Sequence, residues 1–232
     1  ILREGPGQFL IMTAAVQAVR DADWLERLAR THSWTVEITD ITANHAVLGL
    51  MGPKAALVLA SLIGTFPDHL TTYGAVANAR IAEVPVRLAR LSYVGEAGWE
   101  IHIAASEALP VIDAILVAGK SHGLRLAGTI AMNSLRIEKG FVSWGHDVSR
   151  DDSPLEAGLG FTIAWDKAGG FLGRDALLRQ REIGIARRLV RFRLDDPEPV
   201  LWGHEPILRN GKPVGFTSSG AYGHATGASV AM

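Results

Sequence analysis

The chain has 232 residues, 48% of them hydrophobic and 20% charged, with a net charge of −1 and no cysteine. This length allows one large domain or two small ones with a sizeable core, and near-neutrality leaves no electrostatic footprint for nucleic acid or an anionic membrane. The lack of cysteine excludes disulfides, thiolate metal sites and a cysteine nucleophile, and no apolar run approaches the roughly 18 residues of a membrane span.

Ile1 and Met232 sit in what reads as mid-domain sequence, with neither a signal-like leader nor a polar tail, so the chain is expected to be a fragment. Residues 8–13 read as a short buried strand. Residues 21–31 place Trp24, Leu25 and Leu28 on one side and predict a helix. Residues 34–41 alternate like a half-buried strand, and residues 45–50 predict another that Gly52 and Pro53 end. Residues 54–62 read as a mostly apolar helix. Residues 81–93 are extended, with Pro85 arguing for a sheet edge, and residues 99–104 alternate as a strand.

A helix is predicted over 106–122, capped by Ser106 and ending near Gly119 and Gly123. A second spans 128–139 and stops at Gly140. Residues 141–160 are irregular and rich in Gly, Asp and Ser, and loops of this length inside compact domains tend to be functional. A short helix over 173–182 precedes a change to short strands from Arg188. Leu189, Val190, Phe192 and Leu194 predict one strand, and residues 206–208 and 212–217 form a hairpin around Asn210 and Gly211. A boundary near Gly184 divides the chain into 1–184 and 185–232.

Four segments carry chemistry. In residues 93–100, Gly95 and Gly98 flank Glu96 in a tight turn, and Tyr93 and Glu100 stand on either side of it. A phenol and a carboxylate there suit a flat, nitrogen-rich heterocycle, with the carboxylate accepting two N–H bonds; a hairpin with a surface acid and a packed tyrosine explains the same residues. In residues 133–140, Asn133 and Arg136 share a helix face, so Arg136 either holds a neighbouring loop or acid, or belongs to a solvated helix end. In residues 144–160, His146 and Asp147 with Asp151 or Asp152 make a poor metal site, and turns built by Asp, Ser and Pro154 account for the composition. Residues 215–227 are rich in Gly, Ser and Thr but lack a Walker-type lysine, and no dinucleotide-binding glycine loop follows a strand anywhere.

Six segments, in order, resemble one family: Leu50-Met51-Gly52-Pro53, then residues 93–100, 134–140, 154–158, 171–174 and 215–220. The resemblance is to the folate-binding aminomethyltransferase family of glycine cleavage T-proteins. Residues 144–147, 164–167 and 219–224 look more like its branch fused to dimethylglycine and sarcosine dehydrogenases. The resemblance implies an α+β fold of antiparallel sheets and packed helices around a folate channel, with a C-terminal β-barrel that this chain would hold only in part. It implies that Tyr93 and Glu100 bind the pterin of tetrahydrofolate, with Thr13, Trp165 and Tyr222 as further folate positions.

It also implies capture of a one-carbon unit from an N-methyl amine as 5,10-methylenetetrahydrofolate, with FAD held in a domain outside this chain. A stand-alone aminomethyltransferase or demethylase, or a non-catalytic folate-fold binder, are the alternatives. The family's catalytic aspartate would fall before Ile1, so no catalytic residue is assigned here and the chain alone is expected to be incompetent. Thr13 and Met132 stand where glycine-cleavage T-proteins carry asparagine and arginine, which argues against a lipoyl-carrier partner. No metal, nucleic-acid or membrane partner is expected, and the compartment implied is the cytoplasm, or the mitochondrial matrix in a eukaryote.

Overall fold

The computed structural model describes residues 1–66 and 68–232. The chain opens with a hairpin of β1 (Leu2–Gly5) and β2 (Gln8–Leu10), followed by helix α1 (Ala18–Thr31). Next come β3 (His45–Met51), α2 (Ala55–Ile63), β4 (Val76–Ile81), β5 (Val84–Ala89), β6 (Gly98–Ala104) and α3 (Ala108–Gly119). Helix α4 (Thr129–Lys139) leads into a long irregular stretch and α5 (Arg174–Ile183). Short strands close the chain: β7 (Phe192–Arg193), β8 (Pro206–Arg209), β9 (Lys212–Phe216), β10 (Gly220–Gly223) and β11 (Ala228–Ala231). All these strands pair antiparallel, so the expected mixture of helices and antiparallel sheets is what forms.

The central sheet has the order β3-β6-β5-β4. Successive side chains on a strand point to opposite faces. Leu50, Trp99, Ile101, Ile103, Leu88, Val86, Val84 and Ile81 therefore share one face and pack against Val58 and Leu59 of α2 and Val111 and Ile115 of α3. Leu59, Leu88 and Ile101 are fully buried, each contributing roughly 1.5–3 kcal/mol of transfer free energy. Helix α4 lies on the β10-β11 side, where Ile137, Val230 and Met232 form a second, small core.

Five expectations are corrected. Residues 34–41 pair with no strand; Trp34 stacks on His32 at 4.7 Å and its N–H returns to Ala29 of α1, so alternation here lacks the partner a strand needs. Residues 8–13 are not buried: only Gln8–Leu10 pairs, in a two-stranded hairpin with no second layer, leaving Phe9, Ile11 and Met12 exposed. Pro85 lies in an inner strand, yet β6 reaches only Arg87 to Ala89 of β5, so one flank of Pro85 is free of a ladder that its missing N–H would break. Ser106 does not cap α3, which begins through a 3-10 turn with Glu107 at the N-cap and no side-chain cap bond. The strand at residues 189–194 shrinks to Phe192–Arg193, the residues in register with Ala231 and Val230 of β11, with one further bond from the Leu194 N–H to the Ser229 carbonyl at 2.9 Å. The Asn210-Gly211 hairpin forms as read, both residues taking the positive φ of a type I′ turn.

A buried ion pair joins α4, the loop that follows it and the residues before β10. Arg136 of α4 donates to Asp147 at 2.5 Å, with their side chains 4% and 0% exposed. Arg136 also donates to the Phe141 carbonyl at 3.2 Å and the Ser219 hydroxyl at 2.8 Å. Asp147 further accepts from the Ser143 N–H at 2.8 Å and from the Ser218 and Ser219 hydroxyls at 2.6 Å each. Arg136 thus holds a loop and its acid, one of the two readings its sequence position allowed. Burial alone raises the Asp147 carboxyl; the hydrogen bonds from Ser218, Ser219 and Ser143 and the Arg136 charge outweigh it and keep it below its ordinary value.

Removing one member of such a pair leaves the other as an uncompensated buried charge. Asp147→Asn is expected to cost roughly 3–5 kcal/mol of stability, read as a fall in the urea midpoint; an unchanged midpoint contradicts the central role of the pair. Glu205 supplies a second test. The Thr217 hydroxyl and the Trp202 and Gly203 N–H groups donate to it, holding its carboxyl at about 2 instead of 4.5. A depressed carboxylate stabilises the fold above its unfolded pKa and loses that contribution as the folded pKa is approached. Wild-type stability should fall as pH drops from about 4.5 towards 2, and Glu205→Gln should flatten that slope in urea melts taken across the range.

Candidate functional site

The site follows from the alternation of β6. Trp99, Ile101 and Ile103 enter the core, so Glu100 and His102 project from the other face of the sheet. Glu100 lies between Gly49 of β3 and Ala89 of β5, and His102 between Val47 and Arg87. Neither Gly49 nor Ala89 raises a long side chain beside the Glu100 carboxylate, whose side chain remains 31% exposed. The acid is thus open on the β3 side, where Gly49 is exposed, whereas Ala89 on the β5 side is fully buried. Arg87 is tied by an ion pair to Glu4 of β1. His102 is buried, with Nε2 at 3.4 Å from the Glu100 Oε2.

The turn before β6 is pinned from two sides. Gly95 has φ +77°, and a Cβ there would fall 2.4 Å from the Lys139 Cγ. At Gly98 a Cβ would fall 2.6 Å from the Met51 Cγ. The close approach that the two glycines permit is thus taken up by the protein's own side chains. The Tyr93 hydroxyl donates to the Val142 carbonyl at 3.1 Å, and its ring stacks on Phe141 with centroids 6.4 Å apart.

Tyr93 and Phe141 form a wall of a cleft of about 460 Å³, whose lining includes Phe161 and Leu189 and carries two cations, Lys139 and Arg191, but no acid. Its size falls within the usual range of small-molecule sites, roughly 300–1,000 Å³. Glu100 does not line the cleft. The two adjoin through Ser92, which lines the cleft while its hydroxyl contacts the Met51 sulfur at 3.7 Å. Met51 pairs with Gly98 and so lies on the Glu100 face, one row along; such rows are about 7 Å apart.

The other expected positions lie elsewhere. Exposed Thr13 donates to Asp21 at the start of α1. Trp165 is half-buried beneath Arg181, 5.3 Å from its ring, and its carbonyl accepts from Arg174 at 3.3 Å. Tyr222 meets His224 edge-on at 5.3 Å, and its carbonyl accepts from Ser134 at 2.6 Å. None of the three lines the cleft. Sequence reasoning missed His102, Gly49 and the cations Lys139 and Arg191. The two-residue spacing of Glu100 and His102 on one strand face was a usable signal for the first. His146 turns to His204, at 6.3 Å, and not to Asp147; among the described residues no group of His, Asp and Glu converges as metal ligands would.

Residues 1–167 match the model of the GCVT N-terminal domain, and residues 187–232 match the glycine cleavage T-protein C-terminal barrel domain. The whole chain is 40% identical to a 4-methylaminobutanoate oxidase (formaldehyde-forming) of Paenarthrobacter nicotinovorans and 37% identical to human mitochondrial dimethylglycine dehydrogenase. It spans 28% and 27% of the length of those two proteins. The crystal structure of the glycine cleavage system aminomethyltransferase T from Bartonella henselae superimposes with a TM-score of 0.73 at 26% identity, over 94% of this chain and 57% of that one. With its mixed fold, its matched barrel and these relatives, the chain belongs to the glycine cleavage T-protein family, in the form similar to the aminomethyltransferase part of dimethylglycine dehydrogenases.

Proposed function

We propose that this chain is the tetrahydrofolate-binding, one-carbon-transfer part of a larger N-methyl amine oxidoreductase, divided near Gly184, and that its product is 5,10-methylenetetrahydrofolate. The observation that carries the reading is Glu100: a partly exposed carboxylate on a sheet face, beside an exposed Gly49 that carries no side chain. The amino-pyrimidinone edge of a pterin offers two adjacent N–H groups, which a carboxylate accepts together in a charge-assisted pair. The residues present fit that group. When bound, tetrahydrofolate supplies the amine nitrogens that take the one-carbon unit.

The chain's own part is to bind and orient. Glu100 fixes the pterin edge, and Tyr93 faces the adjoining cleft. The cations Lys139 and Arg191 at that cleft suit the carboxylates of the folate tail, and the aromatic walls suit its aryl ring. Thr13, Trp165 and Tyr222 complete the proposed contacts. Holding the amine beside the electrophile contributes mainly proximity, which is worth several kcal/mol in well-oriented systems, of order 7–11 at best. Proton transfer is assigned to the family's aspartate, ahead of Ile1, and flavin chemistry to a domain outside residues 1–232. The amine itself would be selected there.

One relative is named as formaldehyde-forming, which favours a second reading in which the carbon leaves as free formaldehyde when folate is not engaged. The two separate in one experiment on the full-length protein. Calorimetry should show tetrahydrofolate binding that Glu100→Gln weakens about 10- to 100-fold, the loss of one or two charge-assisted bonds. Turnover with tetrahydrofolate present should yield methylenetetrahydrofolate in wild type and shift towards formaldehyde in the variant. Equal affinity of the two proteins would overturn the assignment of Glu100, and formaldehyde as the wild-type product in saturating tetrahydrofolate would overturn the proposed reaction.

A further inference from the structure

His102 has no role in the reading so far, yet its surroundings are unusual. The residue is 8% exposed, and its Nε2 is fully buried without a hydrogen-bond partner. Buried polar nitrogens are nearly always paired, so each exception calls for a reason. The acid within reach is Glu100, whose Oε2 lies at 3.4 Å but out of alignment for a hydrogen bond. The cross-strand neighbours offer no substitute: Val47 is apolar, and Arg87 is a cation already held by Glu4.

We infer that His102 is a positioning residue for Glu100: its Nε2–H engages one carboxylate oxygen and sets the acid's orientation towards the two N–H groups of a pterin-like ring. The inference rests on the assignment of Glu100 to the pterin edge. A carboxylate oxygen has two lone pairs, so Oε2 accepts from His102 and from the ligand together. Contacts of this kind are often long before a ligand binds and tighten in the complex. The geometry of the strand supports it, because residues two apart share a face and keep a fixed relation. Gly49 carries no side chain and is exposed, so the opposing residue on β3 does not restrict the Glu100 carboxylate. The imidazole, with Nε2 at 3.4 Å, is the group placed to restrict it.

The test is tetrahydrofolate affinity, measured by calorimetry on the full-length protein. His102→Gln keeps an N–H donor and His102→Leu removes it. Affinity should fall about 10-fold in His102→Leu and by no more than about 3-fold in His102→Gln, the fold-change of one lost bond against its partial rescue. In a Glu100→Gln background, His102→Leu should add less than about 2-fold, since the two act as a unit. Urea midpoints of each variant separate binding from folding, and His102→Val repeats the comparison where leucine prevents folding. Equal losses in the Leu and Gln variants, or a full effect of His102→Leu in the Glu100→Gln background, would overturn the inference. If Glu100→Gln binds as wild type, the pterin assignment fails; if Glu100→Gln is weak while His102→Leu binds normally, only the role of His102 fails.

Discussion

The architecture turns on the Arg136–Asp147 pair. Two charges removed from water gain little net stability from each other, and their value lies in what they tie together. Here the further hydrogen bonds of both groups come from two separate parts of the chain, the loop after α4 and the residues before β10. Arg136 reaches the Phe141 carbonyl and the Ser219 hydroxyl, and Asp147 collects the Ser143 N–H and two hydroxyls 71 and 72 residues away. Fully met buried networks rigidify a fold and specify one arrangement. The loop from Phe141 to Asp147 is thereby fixed against both α4 and the closing strands.

The cleft depends on that loop. Tyr93 donates to the Val142 carbonyl and stacks on Phe141, so a wall of the cleft hangs on residues that the ion pair positions. The floor for Glu100 has a different origin. It is the reverse of the sheet whose other face is the main hydrophobic core, and core packing of Trp99, Ile101 and Ile103 leaves Glu100 no choice of direction. A rigid, apolar face thus presents a polar one, with the acid held by strand geometry on a scaffold element instead of a loop. Binding groups placed on strands are held more tightly than those on loops.

Periodicity made much of this legible. The alternation of residues 99–104 and the apolar run of 54–62 fixed the central layers, and Asn210-Gly211 fixed its hairpin because only a positive-φ turn suits that pair. Glu100 and Tyr93 were legible as residue types on two sides of a turn, and the family resemblance gave them a ligand. What escaped was long-range. Nothing in the local sequence of Asp147 shows that Ser218 and Ser219 will meet it. Alternation at residues 34–41 promised a strand, but pairing is decided by neighbours that the segment does not choose. Pro85 suggested an edge, and only the short reach of β6 explains how an inner strand tolerates it. Tyr93 and Glu100 were expected in one pocket, whereas the tyrosine lines a cleft and the acid stands on the adjoining sheet face.

The assignment of that face to folate is tested most directly by a crystal structure of the full-length protein with tetrahydrofolate bound. The pterin edge should lie on the Gly49 side with both Glu100 oxygens within hydrogen-bond distance, and the tail should run towards the cleft at Tyr93. A pterin bound elsewhere, with the Glu100 carboxylate facing only solvent, would contradict it.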